Sequence, residues 1–176
     1  MKLFKCFHCS QPLYFENYFC GNCGMQQGFD PQLMEFIAIA DDNNEIPKTA
    51  DIYNATFYKF CHNRIHDVCN WLVTVNTNTD FCLACQLNRT ITNLNDAGYR
   101  ERWSTLELAK HRLIYSMLRL SLPVVSKTND PEKGLFFDFK ADGKKKVFTG
   151  HANGIITINI SEADDIEREM ARRNLD

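Results

Sequence analysis

Apolar and polar positions follow three different rhythms along this chain. Residues 1 to about 29 hold short aromatic runs between cysteine pairs, the pattern of a small metal-stapled β module with Phe4, Phe7, Tyr14, Phe15, Tyr18 and Phe19 as its core. Asp30-Pro31 breaks that pattern. Residues 32–40 are apolar enough for a short helix or strand, and Asp41-Asp42-Asn43-Asn44 through Pro47 reads as an exposed linker and a soft domain boundary. A loop-rich stretch follows from Tyr53 to Leu94, with Trp71-Leu72-Val73 as a strand.

The rhythm then changes to threes and fours. Trp103, Leu106, Ala109, Leu113, Met117 and Leu120, widened by Ile114, Leu118 and Leu122, predict a largely buried helix over 99–122. Pro123 ends it, because proline disfavours helical geometry in the residue before it. Short strands are expected over 135–139, 146–149 and 155–160, with Asp142-Gly143 as a hairpin turn between the first two. Ser161 is placed as an N-cap, followed by Glu162, Asp164 and Asp165 at the positive end of a charged helix running to about Asn174. The fold expected is α+β: a zinc ribbon over 1–40, then an α+β domain over 48–176. That second domain comprises a zinc-stapled segment, a long buried helix, a small antiparallel sheet and a C-terminal helix.

The cysteines give the pattern its chemistry. Cys6-x2-Cys9 and Cys20-x2-Cys23 are two knuckles, each a tight turn that aims two sulfurs at one point, and together they close a tetrahedron around Zn²⁺. Gly21 and Gly24 suit turns that need positive φ. The second cluster, Cys61, Cys69, Cys82 and Cys85, has one true knuckle, with His62 and His66 as rival ligands. Four cysteines remain once the first site is filled, so an all-sulfur site is the simpler account. Two structural Zn²⁺ are expected. Both sites would be saturated, leaving no position for a reactive water.

Other features narrow the function. The formal charge of −2 gives no broadly basic surface, which counts against nucleic-acid binding through aromatics such as Phe7 and Tyr14. No run reaches the roughly 18 apolar residues of a membrane span, and the cysteine motif begins too early to leave room for a signal peptide. Paired cysteines without a secretory signal point to a reducing compartment, taken as the cytoplasm. His62-Asn63-Arg64-Ile65-His66 has the histidine spacing of a zincin helix but carries Asn63 where the catalytic glutamate would stand. His151, bracketed by Gly150 and Gly154, is either a turn residue or a ligand-facing one. Lys144-Lys145-Lys146 reads as a solvated hairpin end.

The motifs in order resemble those of the bacterial zinc-binding metallopeptidases that begin with a zinc ribbon. They are Cys6 to Cys23, Gly28-Phe29-Asp30-Pro31, Cys69-Asn70-Trp71-Leu72-Val73, Cys82-x2-Cys85-x2-Asn88-Arg89-Thr90-Ile91, Gly134 to Phe139, Thr149-Gly150-His151-x2-Gly154-x-Ile156-Thr157-Ile158-Asn159 and Glu162-Ala163-Asp164-Asp165. The resemblance implies a catalytic His-Glu-x-x-His helix beyond a segment like 162–176. No such motif occurs in these 176 residues. The expectation is therefore a non-catalytic N-terminal portion of a longer peptidase, whose third, catalytic Zn²⁺ is held by residues outside this chain. The resemblance also suggests that the 155–160 strand is a sheet edge that pairs with extended substrate. The alternative is a zinc-ribbon module that recruits a protein partner without catalysis.

Overall fold

The computed structural model describes residues 2–39 and 58–173. The chain forms two compact units, Met1–Cys85 and Gln86–Asp176. The boundary expected at 41–47 lies outside the described residues. Among the described residues no helix is long and apolar enough to cross a membrane.

The first unit is built from three two-stranded antiparallel ladders. β1 (Phe4–Lys5) pairs with β2 (Pro12–Leu13), β3 (Gln26–Asp30) with β4 (Glu35–Ile39), and β5 (Tyr58–Phe60) with β6 (Leu72–Thr74). Asp30-Pro31 does not end the sheet structure. It turns the β3–β4 hairpin, with the Asp30 carboxylate accepting from the Gln32 amide at 2.7 Å and from the Tyr58 hydroxyl at 2.5 Å.

Strands this short bury little by alternation, so the core is an aromatic cluster gathered from distant segments. Phe4, Phe15, Phe29, Phe36 and Trp71 are all buried. Their ring centroids lie 5.1 Å apart for Phe4–Phe36, 5.2 Å for Phe15–Phe29 and 4.9 Å for Phe29–Trp71, in the range where edge-to-face and tilted pairs are favourable. Of the six aromatics expected as core, Phe4 and Phe15 are in it, while Phe7, Tyr14 and Phe19 are exposed and Tyr18 is half-buried. Their places are taken by Phe29, Phe36 and Trp71. Asn70 ties the later segment to the ribbon by donating to the Phe15 and Asn17 carbonyls at 2.8 and 3.1 Å. The neighbouring cluster of Ile37, Ile39, Tyr58 and Leu72 packs so close to Gly28 that a Cβ there would lie 2.3 Å from a Leu72 methyl.

The second unit contains β7 (Asn88–Thr90), α1 (Tyr99–Arg119), β8 (Phe136–Lys140), β9 (Gly150–Ala152), β10 (Ile155–Asn159) and α2 (Asp165–Arg173). Together with the ribbon's ladders these confirm the α+β class. The sheet order is β7-β8-β10-β9, with β7–β8 and β8–β10 parallel and β9–β10 antiparallel. The hairpin therefore sits elsewhere than expected. Asn153-Gly154, with φ of 50° and 75°, makes the two-residue turn between β9 and β10. Asp142 instead organises a loop, accepting from the Val147 amide at 2.7 Å and the Asn159 side chain at 2.9 Å. The strand expected over 146–149 is replaced by β9, just after it.

The long helix forms where expected, and its inward face keeps Trp103 and Ile114 of the expected stripe but is otherwise shifted. Trp103, Glu107, Lys110, His111, Ile114 and Tyr115 are buried, while Leu113, Leu120 and Leu122 are exposed. The buried charges neutralise one another. Lys110 Nζ is 2.6 Å from Glu107, lies 5.6 and 5.7 Å from the Phe137 and Phe139 ring centroids, and donates to Asn88. Glu107 also accepts from the Trp103 indole at 3.2 Å and from the Asn88 amide at 3.1 Å. At the C-terminal end Asn159, not Ser161, is the cap: its side-chain oxygen accepts from the Ser161 amide at 3.0 Å and opens the 3-10 turn Ile160–Ala163 that precedes α2.

Candidate metal centres

Both knuckles of the first cluster share one backbone design. The Cys6 amide donates to the Gln11 carbonyl and the Ser10 amide to the Cys6 carbonyl, both at 2.8 Å; Cys20 with Met25 and Gly24 with Cys20 repeat this at 2.9 Å. The residue that closes each turn has positive φ, 61° at Ser10 and 74° at Gly24, whereas Gly21 is not in that region. This geometry brings Cys6 to 3.7 Å from Cys23 and Cys9 to 3.5 Å from Cys20, sulfur to sulfur. The four sulfurs lie within 4.8 Å of one another.

The second cluster lacks a repeated knuckle and is gathered by longer segments. Cys61 stands before the 3-10 turn His62–His66, Cys69 shortly after it, and Cys82 and Cys85 follow the polar 75–80 loop. Their sulfurs also lie within 4.8 Å of one another, with Cys69 to Cys82 at 3.7 Å. Neither His62 nor His66 joins the set; the His62 ring instead meets the Phe81 ring edge-on at 5.6 Å. The Cys82 amide points at Cys61 sulfur at 3.3 Å and the Trp71 amide at Cys69 sulfur at 3.4 Å.

These donors fit zinc. A tetrahedron with Zn–S bonds of about 2.3 Å has edges of about 3.8 Å, close to the measured separations, while a disulfide needs about 2.05 Å. None of the eight cysteines is in a disulfide. Burial pushes the Cys69 and Cys82 thiols well above their ordinary range, so these two sulfurs lose their protons most readily when a cation takes the protons' place. Cys9, at the half-exposed first site, is instead lowered to about 6, first by the Asn22 side chain and then by the Gln11 amide.

Arg64, which no motif singles out, stands in the 3-10 turn between Cys61 and Cys69. Its guanidinium lies 3.8 Å from the Phe60 ring centroid and 4.9 Å from that of Tyr18, and donates to Gln26 at 2.9 Å. It thereby joins the β3–β4 hairpin to the turn between Cys61 and Cys69.

In the second unit, the 155–160 strand is not a sheet edge. β10 is covered on both sides, by β8 and β9. The antiparallel edge is β9, whose His151 is exposed. Beside it is an open concavity of about 510 Å³ lined by Lys140, Phe148, His151, Ile155 and Thr157 among others.

Residues 99–176 match the family described as "Putative zinc-binding metallo-peptidase", and residues 3–96 match a zinc-ribbon domain. Uncharacterized proteins of Mycobacterium bovis and of two Mycobacterium tuberculosis strains are each 37% identical over 177 residues. The match covers 100% of this chain and 48% of each relative, so the chain spans about half the length of the curated relatives it matches. No solved structure matches. The match over 3–96 takes in more than half of the chain and both four-cysteine clusters, and the chain belongs to the zinc-ribbon domain family.

Proposed function

We propose that each four-cysteine cluster holds one structural Zn²⁺ and that the second unit is the non-catalytic part of a zinc-dependent peptidase. The separations of 3.5 to 3.7 Å between paired sulfurs carry the first half of this reading. The family match over 99–176 carries the second. The catalytic His-Glu-x-x-His helix and its own Zn²⁺ belong to sequence outside these 176 residues, in the portion of the relatives that the chain does not span. Without that motif the chain should not cleave peptides. The exposed antiparallel edge β9 is the part suited to hold an extended substrate, since an unpaired edge offers main-chain hydrogen bonds without demanding particular side chains. Thiolate-bound zinc suits the reducing cytoplasm.

The test compares this chain with a full-length mycobacterial relative by elemental analysis and hydrolysis of a fluorogenic peptide library. Two zinc ions and no cleavage are expected for the chain, three zinc ions and chelator-sensitive cleavage for the relative. A full-length relative that holds only two zinc ions and cleaves nothing overturns the peptidase assignment. In that event the exposed rings of Phe7, Tyr14 and Phe19 favour a protein-docking ribbon.

A further inference from the structure

Gln27 sits in β3, is fully buried, and uses its side chain in an unbalanced way. Its Nε2 donates to the Cys6 sulfur at 3.4 Å and to the Met25 carbonyl at 3.1 Å, while its Oε1 is buried with no hydrogen-bond partner. Buried amides normally satisfy both ends, because an orphaned acceptor loses its water without compensation. Rotating this amide by half a turn would put Oε1 against the Met25 carbonyl and the Cys6 sulfur. A zinc-bound sulfur has only lone pairs to offer, so both of those neighbours are acceptors and both demand a donor. The side chain is therefore held with its hydrogens on Cys6 and its oxygen orphaned.

From this we propose that Gln27 is a positioning residue of the first metal centre, donating an N–H···S hydrogen bond that fixes the Cys6 thiolate and withdraws charge from it. The inference rests on the zinc occupancy proposed above. Four thiolates around one Zn²⁺ carry a net charge of −2, and hydrogen bonds to the sulfurs spread that charge into the protein. Each cluster has its own donors for this. Cys9 receives the Asn22 side chain and the Gln11 amide, and in the second cluster the Trp71 and Cys82 amides serve Cys69 and Cys61. On Cys6 the donor is a side chain reaching from a different ladder, which can be replaced without altering any backbone. It also links the β3–β4 hairpin to the first knuckle directly through the metal site.

The experiment begins with wild-type protein loaded with ¹¹³Cd, whose stoichiometry is measured first. Failure to take up two metal ions per chain would overturn the occupancy rather than this inference. With both sites filled, scalar coupling between one ¹¹³Cd nucleus and a Gln27 side-chain amide proton is expected, together with slow solvent exchange of that proton. Two bound ions with neither signal overturn the role given to Gln27. For the zinc-loaded protein, Gln27→Met removes the donor and the orphaned acceptor at similar length, and Gln27→Glu presents oxygen to the thiolate. Each should speed transfer of one zinc to a chromogenic chelator by about 10- to 100-fold, Glu more than Met, while the second zinc leaves at the wild-type rate. Unchanged transfer from both sites in Gln27→Met would also overturn it. The coupling measurement decides the matter should a variant fail to fold.

Discussion

Replacing Lys110 with methionine would strand a carboxylate in the middle of the second unit. Glu107 and Lys110 are 2.6 Å apart with side chains 0% and 1% exposed, so neither can turn to water when its partner is lost. Breaking one side of such a pair costs about 3 to 5 kcal/mol. The lower end applies to Lys110→Met, because Glu107 keeps charge-assisted bonds from the Trp103 indole and the Asn88 amide. Glu107→Gln should cost about as much, since the ammonium then loses its carboxylate while it still faces the Asn88 oxygen and the rings of Phe137 and Phe139. The double variant should not cost the sum. With the ammonium gone, the Asn88 oxygen that it contacted is free to accept from the introduced amide, and a neutral, matched pair should lose about 2 kcal/mol. The cycle thus predicts a coupling of about 3 kcal/mol or more. Urea unfolding of zinc-saturated protein at neutral pH, followed by far-ultraviolet circular dichroism, reads it, because α1 is the longest described helix. Single-variant losses that add to within about 0.5 kcal/mol would refute the reasoning.

Further outcomes follow from other sites. Asp138, buried between Arg89 and Lys140, has its carboxyl lowered to about 2, first by the Arg89 guanidinium. Its folded pKa lies below the unfolded value, so the pair stabilises above pH ~4 and loses that stabilisation as pH falls through ~2. At neutral pH it contributes about 2 kcal/mol, discounted for its half-exposed partners. A carboxyl-carbon NMR titration midpoint near 4 for this residue would count against the ion pair. Gly28→Ala should destabilise the first unit by about 1 to 3 kcal/mol through collision with Leu72, and adding Leu72→Ala should not deepen the loss additively. Thermal melts of the single and double variants decide it. Stripping the metal with a chelator should abolish the first unit's near-ultraviolet signal from its buried aromatic cluster, and a signal that survives the loss of two zinc equivalents would show the sites to be dispensable.

The gathering of the first four cysteines was legible because its information is local: a two-residue gap makes a knuckle whatever surrounds it. The second four come together from separated segments and were legible only as the cysteines left over. The aromatic core was not legible, since Phe29, Phe36 and Trp71 reach it from beyond the first cysteine cluster and chain proximity favoured Phe7, Tyr14 and Phe19 instead. On α1 the apolar spacing found the helix and, of its buried residues, Trp103 and Ile114, but not Glu107, Lys110, His111 or Tyr115. Glu107 and Lys110 look like surface residues until Asn88 and the Phe137–Phe139 strand supply their partners. The sheet order was hidden for a related reason. Asp142-Gly143 and Asn153-Gly154 are both good turn signals, and only the pairing of β8 with β10 decides which one makes the hairpin. Asn159 likewise outcompetes Ser161 as a cap because it is also held by Asp142 and the Val147 carbonyl.

Asn70 stands directly after Cys69, yet both hydrogens of its side-chain amide are spent on carbonyls of the Phe15–Asn17 stretch, just ahead of Cys20. Whatever holds Cys69 in place therefore also holds the approach to the first cluster, and the reverse is equally true. Such reciprocity is a property of any coupling free energy: a change that displaces Cys69 should be felt ahead of Cys20 by the same amount as a change ahead of Cys20 is felt at Cys69.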